Sequence, residues 1–395
     1  MGEWKEFRLG NLGIIITGKT PSKKNPEDWG DLMLFVTPSD YKNYRKFAFS
    51  SDRNLSKNGI DRLFKKVLPI NSIMVTCIGS DMGKVAINSV PVITNQQINS
   101  IIPNAGIVDN DFLYYRLVSM YEVLRVYGSD GTAVPIINKN DFENLETTLP
   151  SLQEQKAIAE VLSSLDDKID LLHSQNKTLE ELAQTLFRQW FIEDAKDEWE
   201  EVSLEDVTTK ITDGSHTSPK TVKIGMPMAS VKDMHQWGIN INTCRQISKE
   251  NFNDLTKADC RPLKDDILIA KDGSYLKHIF VVEEDMDVVI LSSIAILRPN
   301  EKYHPLLLSI FLKLDSTIDS LKNIVTGGVI PRIVLKDFRK YKLLLPPNYL
   351  QEKALEKINP IIDKCWVNNK QIKTLENMRD TLLPKLMSGE VRVQL

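Results

Sequence analysis

A block of sequence recurs about 196 residues further along the chain. Gly131-Thr132-Ala133-Val134-Pro135 precedes Lys139, Asp141, Phe142 and Leu149-Pro150. Gly327-Gly328-Val329-Ile330-Pro331 precedes Lys336, Asp337, Phe338 and Leu345-Pro346. Each copy then reaches a Gln-Glu pair, Gln153-Glu154 or Gln351-Glu352, and a long helical pattern. The starts match too: Glu3-Trp4-Lys5-Glu6 with Leu9 and Ile16-Thr17, against Glu198-Trp199-Glu200-Glu201 with Leu204 and Ile211-Thr212. A repeat this long is too large for a solenoid unit. It predicts a duplicated domain with pseudo-two-fold symmetry, suited to a partner that also has two related halves, as duplex DNA has.

Several function classes are disfavoured. No apolar run reaches the ~20 residues of a membrane span, and Met1–Glu6 has no apolar signal core, so a cytoplasmic location is expected. Cys77, Cys244, Cys260 and Cys365 form no C-x-x-C pair, which suits reduced thiols and gives no zinc site. The five histidines are scattered, so no metal site is expected. The net charge of −3 hides an uneven distribution. Residues 1–100 carry fourteen Lys and Arg against nine Asp and Glu, whereas 101–149 carry three against seven. DNA affinity would be modest for this chain alone, with a partner supplying phosphate contacts.

Four segments follow: a globular block 1–149, a helical stretch 150–196, a second block 197–346 and a second helical stretch 347–395. The first block shows strand-like runs Leu32–Val36, Ser72–Thr76 and Gly83–Ile87, then one helix across Phe112–Val126. The second shows Asp266–Ala270, Ile279–Val282 and Val288–Leu291, then one helix from Leu306 to Leu321. Each block reads as α+β.

After Pro150, Ser151-Leu152-Gln153-Glu154 has the form of a capping box. A heptad seam follows: Ile158, Leu162, Leu165, Ile169, Leu172, Asn176, Leu179, Ala183, Leu186 and Trp190. The second seam reads Ile358, Ile361, Cys365, Asn368, Ile372, Leu375, Arg379, Leu382 and Leu386. Pro360 and Pro384 predict a kink or break there. At ~1.5 Å per residue, about 40 residues make a rod of ~60 Å. Two rods related by a two-fold would pack antiparallel. Asn176 and Asn368 are either tolerated polar positions or a register lock.

The stretch Leu149-Pro150-Ser151-Leu152-Gln153-Glu154-Gln155-Lys156-Ala157-Ile158-Ala159, with Leu165-Asp166-Asp167-Lys168-Ile169 and Leu186-Phe187-Arg188-Gln189-Trp190-Phe191, resembles the central helical region of one family. This family is the specificity subunits of Type I restriction-modification systems. Leu9-Gly10 and Thr17-Gly18-Lys19-Thr20-Pro21-Ser22 are similar to the opening of its target-recognition domains. The resemblance covers essentially the whole chain. It implies two target-recognition domains separated by two long helices packed as an antiparallel coiled coil. It implies a split, asymmetric DNA target whose gap the helices set; half-sites are read from the same face when about one DNA turn, ~34 Å, apart. It also implies two methyltransferase partners carrying S-adenosylmethionine and methylating adenine. ATP and Mg²⁺ would sit on two restriction subunits where these join. A methylation-only complex, or a helical scaffold that reads no DNA, are the alternatives.

No catalytic constellation is evident. Pro346-Pro347-Asn348-Tyr349 has the wrong order for a methyltransferase loop, and no Gly-rich phosphate loop occurs. Glu154-Gln155-Lys156 copies a nuclease element but lies on a capped helix, without an Asp-bearing strand. The candidates are therefore DNA contacts. In the first block they are Thr20, Lys23, Lys24, Tyr41, Asn43, Tyr44, Arg45, Lys46, Gln96 and Gln97; in the second, Ser215, His216, Thr217, Lys232, Lys271, Ser274 and Lys277. Cations suit phosphates and guanine, and amides suit adenine edges. Gly131-Thr132 and Gly327-Gly328 either let the backbone approach DNA or make a turn before the proline, the turn being the favoured reading.

Overall fold

In the computed structural model the described residues are all but 1–3, 130–134, 273–275, 323–324, 327–331 and 395. The glycine turns at Gly131-Thr132 and Gly327-Gly328, and the candidate Ser274, lie outside them. The chain forms two compact units, Met1–Leu171 with Ile372–Leu395, and Leu172–Gln371. No described helix is long and apolar enough to cross a membrane.

In the first unit the main sheet runs in the order Gly13–Thr17, Ile98–Pro103, Ile73–Thr76, Val85–Asn88, Phe47–Ala48. Ile101 sits between Ile15 and Ile73 across two antiparallel ladders. A smaller sheet joins Trp29–Gly30, Asn54–Leu55, Met33–Val36 and Val92–Thr94. In the second unit the same plan recurs. Thr208–Asp213, Ile294–Pro299, Ile267–Ala270 and Ile279–Val281 form one sheet; Arg245–Ile247, Met226–Ala229 and Val289–Ile290 form another. Leu297 stands between Ile211 and Ile267, as Ile101 does between its neighbours. The strands Ile98–Pro103 and Ile294–Pro299 did not stand out in the sequence. They are buried on both faces for four residues, so they lack the alternation that marks a half-exposed strand.

The single helices expected over Phe112–Val126 and Leu306–Leu321 are each two. They are Asn110–Ser119 and Tyr121–Ser129, and Pro305–Lys313 and Asp315–Lys322. The joints Met120 and Leu314 are both buried, and Leu314 is extended. Each break turns an apolar side chain into the core that a continuous helix would point elsewhere.

The long helices are Leu152–Arg188 and Asn348–Ser388. Pro360 and Pro384 do not interrupt the second. Pro360 is exposed, while Ile358 and Ile362 on either side of it are buried; Ile362, rather than the expected Ile361, carries the buried stripe there. Packing of that stripe offsets the lost bond, about 3 kcal/mol for an interior proline. In the first unit Arg379 donates to Asp166 at 2.9 Å, and Arg392 donates to the buried Glu154. The partner number falls as the other rises, so the helical ends run antiparallel there. In the second unit Asn368 Nδ2 donates to Asn176 Oδ1 at 2.8 Å, and Asn176 Nδ2 reaches the Cys365 carbonyl at 3.4 Å. Both amides are buried. Ile158, Leu162, Ile169, Leu172, Ala183, Ile358 and Ile372 are buried; Leu165, Leu179, Ile361 and Leu375 are half-buried.

Two details of the helix starts differ from expectation. Ser151 Oγ does accept from Glu154 N, at 3.3 Å. The Glu154 carboxylate, however, takes the Arg392 guanidinium rather than the cap. The repeating Gln-Glu match is also out of register. The structural equivalents are Gln155 and Gln351, 196 residues apart. Gln155 Nε2 donates to the carbonyls of Pro150 and Ile107, and its Oε1 accepts from Asp109 N. Gln351 Nε2 donates to Pro346 and Lys302, and its Oε1 accepts from His304 N. Asp109 and His304 are the N-caps of equivalent helices. Each buried amide thus ties a long helix to its block.

Gln155→Ala and Gln351→Ala each strand three backbone groups in the interior. Each should lower unfolding free energy by about 2–3 kcal/mol in a urea titration, and by similar amounts. Burial also pushes the Cys77, Cys244 and Cys365 thiols up to about 12. All three stay protonated at pH 8, so a thiolate-directed alkylating reagent should label none of them until denaturant unfolds the chain.

Candidate nucleic-acid interface

Three turns meet at one corner of the first unit. The strand Gly13–Thr17 ends where Gly18 N donates to Ile98 O at 3.2 Å and Lys19 N to Thr94 O at 2.9 Å. The strand Met33–Val36 leads into a 3-10 turn, Pro38–Asn43. Its cap is Thr37, whose N and Oγ1 donate to Asp40 Oδ2 at 2.7 and 2.8 Å. The third turn is Asn95–Gln97, held by Asn95 N on Val36 O at 3.0 Å. Thr20 Oγ1 donates to Gln96 Oε1 at 2.6 Å, joining the first turn to the third. Lys19, Thr20, Ser39 and Gln96 are exposed.

The second unit repeats the frame. Gly214 N donates to Ile294 O at 3.1 Å and Ser215 N to Ile290 O at 2.8 Å. Ser230 N and Oγ donate to Asp233 Oδ2 at 2.8 and 3.0 Å, reproducing the Thr37 cap. Leu291 N donates to Ala229 O, and Ser292 N to Ser215 O, each at 2.9 Å. His216, Thr217 and Lys232 are exposed here. The equivalent glycines show how tight the frame is. A Cβ on Gly18 would sit 2.2 Å from the Thr94 and Asn95 carbonyl oxygens, and one on Gly214 2.2 Å from Ile290 O. A register shift between Thr208 and Lys210 realigns the two strands. It explains why the turns look unrelated when matched from Thr17 and Thr212.

The corners gather Thr20, Gln96, His216, Thr217 and Lys232 from among the expected contacts. Lys23, Lys24, Asn43 and Lys277 are exposed on turns and loops. Other candidates are engaged by the protein itself. Lys46 is buried; its Nζ lies 2.8 Å from Asp111 and 2.9 Å from Ser163 Oγ, over the Tyr115 ring. Lys271 is buried against Asp213. Neither ammonium is available to a phosphate, because each meets its counter-charge inside. Tyr41 is buried, which pushes its phenol up. The Tyr44 hydroxyl donates to Ser50 O, and Arg45 pairs with Asp170. Ser215 Oγ is spent on Thr217, and Gln97 Oε1 accepts from Asn95 at 2.9 Å. Sequence reasoning passed over Lys19, Ser39 and Ser292. The signal was present: an apolar run followed by Thr-x-x-Asp at Thr37 and by Ser-x-x-Asp at Ser230. Among the described residues no group of three or more His, Cys, Asp or Glu could hold a metal ion.

A family model described as the Type I restriction modification DNA specificity domain matches residues 1–181 and again 196–377. The Type I restriction enzyme MjaIX specificity subunit of Methanocaldococcus jannaschii is 29% identical over 99% of this chain and 94% of its own length. The HindI specificity subunit of Haemophilus influenzae is 37% identical over 46% of this chain and 40% of its own. The fold is similar to that of a Type-I restriction-modification system S subunit from M. genitalium. That likeness has a TM-score of 0.56, at 19% identity, over 100% of this chain and 97% of the other.

Gly18→Ala and Gly214→Ala should each cost about 1–3 kcal/mol, since backbone carbonyls must give way to the new methyl. Thermal unfolding checks this, with Gly106→Ala, whose Cβ would meet only the far end of Asn104 at 3.4 Å, as the control.

Proposed function

The chain belongs to the family of Type I restriction-modification DNA specificity proteins, and from that premise we propose that each unit reads one part of a split, asymmetric target with its three-turn corner. It is the DNA-recognition subunit of such a system. The long helices hold the two readers at a fixed separation and carry the partners. Two methyltransferase subunits dock on them, bring S-adenosylmethionine and methylate adenine. Restriction subunits, where they join, bring ATP and Mg²⁺. This chain does no bond chemistry itself.

The observation that carries the reading is one frame bearing two sets of side chains. Both corners use a buried-contact glycine, a turn whose cap is held by an Asp three residues on, and a strand-end turn. Lys19, Thr20, Ser39 and Gln96 face out of one; His216, Thr217 and Lys232 face out of the other. Amides, hydroxyls, imidazole and ammonium groups are the donors and acceptors that discriminate base edges. Different sets at equivalent places read different bases, so the target is not a palindrome.

Methylation-site sequencing of DNA modified by the assembled complex tests this. Replacing residues 1–149 by the matching block of a relative should change one part of the target only. Adding seven residues beside Asn176, with seven opposite at Asn368, should lengthen the gap and leave both half-sites intact. A change in both half-sites after the block exchange, or an unaltered gap after the insertion, would overturn the modular reading.

A further inference from the structure

Lys271 stands at a position where the other unit supplies a control. Its N donates to Ser293 O at 2.9 Å, and its O accepts from Ile333 N at 3.2 Å. In the first unit Cys77 makes the same pair of bonds, to Gln97 O and from Ile137 N, at 2.8 and 2.9 Å. Cys77 is a buried, protonated thiol. The frame therefore folds with a neutral side chain at this place. A buried ammonium is costly unless paired, so its presence calls for a reason outside the frame.

That reason lies in the turn it faces. Lys271 Nζ pairs with Asp213 Oδ2, and Asp213 Oδ1 meets His216 Nε2 at 3.2 Å. Asp213 is largely buried and His216 is exposed. A carboxylate bonded to an ammonium accepts from its other neighbour, so the tautomer that suits this contact has the proton on Nε2. That tautomer presents Nδ1 as an acceptor.

We propose that Lys271 is a positioning residue which, through Asp213, fixes the tautomer and aim of His216, and that His216 Nδ1 reads an exocyclic amino group in the major groove. Adenine N6 and cytosine N4 are the groups of that kind. The assignment rests on the proposed DNA-reading function.

The test uses the chain assembled with its methyltransferase subunits, selecting bound duplexes from a pool randomised across the target. Three variants are compared with the parent: Lys271→Cys, which copies the other unit, His216→Ala, which alters only an exposed side chain, and their combination. His216→Ala and Lys271→Cys should flatten preference at one and the same position, an adenine or cytosine. Discrimination there should fall by roughly tenfold, the scale of a good base contact. The combination should do no more than either alone, and the other half-site should be unchanged. Lys271→Arg, keeping the charge, should retain most of the preference. A merely structural lysine would lower stability and leave every base preference intact; that result overturns the proposal. So do effects of the two variants at different positions, or in both half-sites. A parent complex with no split preference would instead sink the function on which the proposal rests.

Discussion

Each unit is completed by chain from far away in the sequence. In the first, Leu386 and Met387 enter the same core as Leu9, Phe112, Ile158 and Leu162. In the second, Ala183 and Phe187 share a core with Leu297, Ala354 and Ile358. A single long helix in water is marginal, and most of its stability comes from packing its apolar stripe. Here the stripe of each helix meets both the opposing helix and a mixed α/β block. Within each unit, block and helices therefore share one core.

Polar groups fix what apolar packing leaves free. A seam of Leu and Ile tolerates sliding by a heptad; a buried amide does not, because its bonds exist in one alignment only. Asn176 meets Asn368 head to head. Gln155 and Gln351 then settle where each block sits on its helix, by bonding three backbone groups apiece. Arg379 adds charge to the same logic. It occupies a seam position that looks like a flaw in sequence, yet Asp166 is waiting for it.

The repeat, the α+β blocks, the helical rods and the antiparallel sense were legible because they depend on periodicity, which sequence displays directly. Partners were less so. Glu154 and Ser151 have the spacing of a capping box, but spacing cannot reveal an arginine 238 residues away. Lys46 and Lys271 illustrate the same limit at the candidate site. A lysine in a basic or Gly-rich run reads as solvated, and only tertiary placement shows Asp111 and Asp213 beside them. The central strands were hidden for the opposite reason. A strand buried on both faces carries no period-two signal.

The two corners show how exposed side chains can diverge while their frame does not. Its holding bonds run almost wholly between backbone groups, as at Gly18, Lys19 and Asn95 and at Gly214, Ser215 and Leu291. Backbone bonds are indifferent to the side chains that project between them. Two side-chain demands remain: no Cβ at Gly18 or Gly214, and an Asp to hold each capped turn. Some exposed side chains still touch the frame: Thr20 bonds Gln96, Ser39 meets the Thr37 cap and His216 meets Asp213. Lys19 in one unit and Lys232 in the other project into solvent from equivalent frames. One duplicated backbone frame thus carries two unlike sets of exposed side chains.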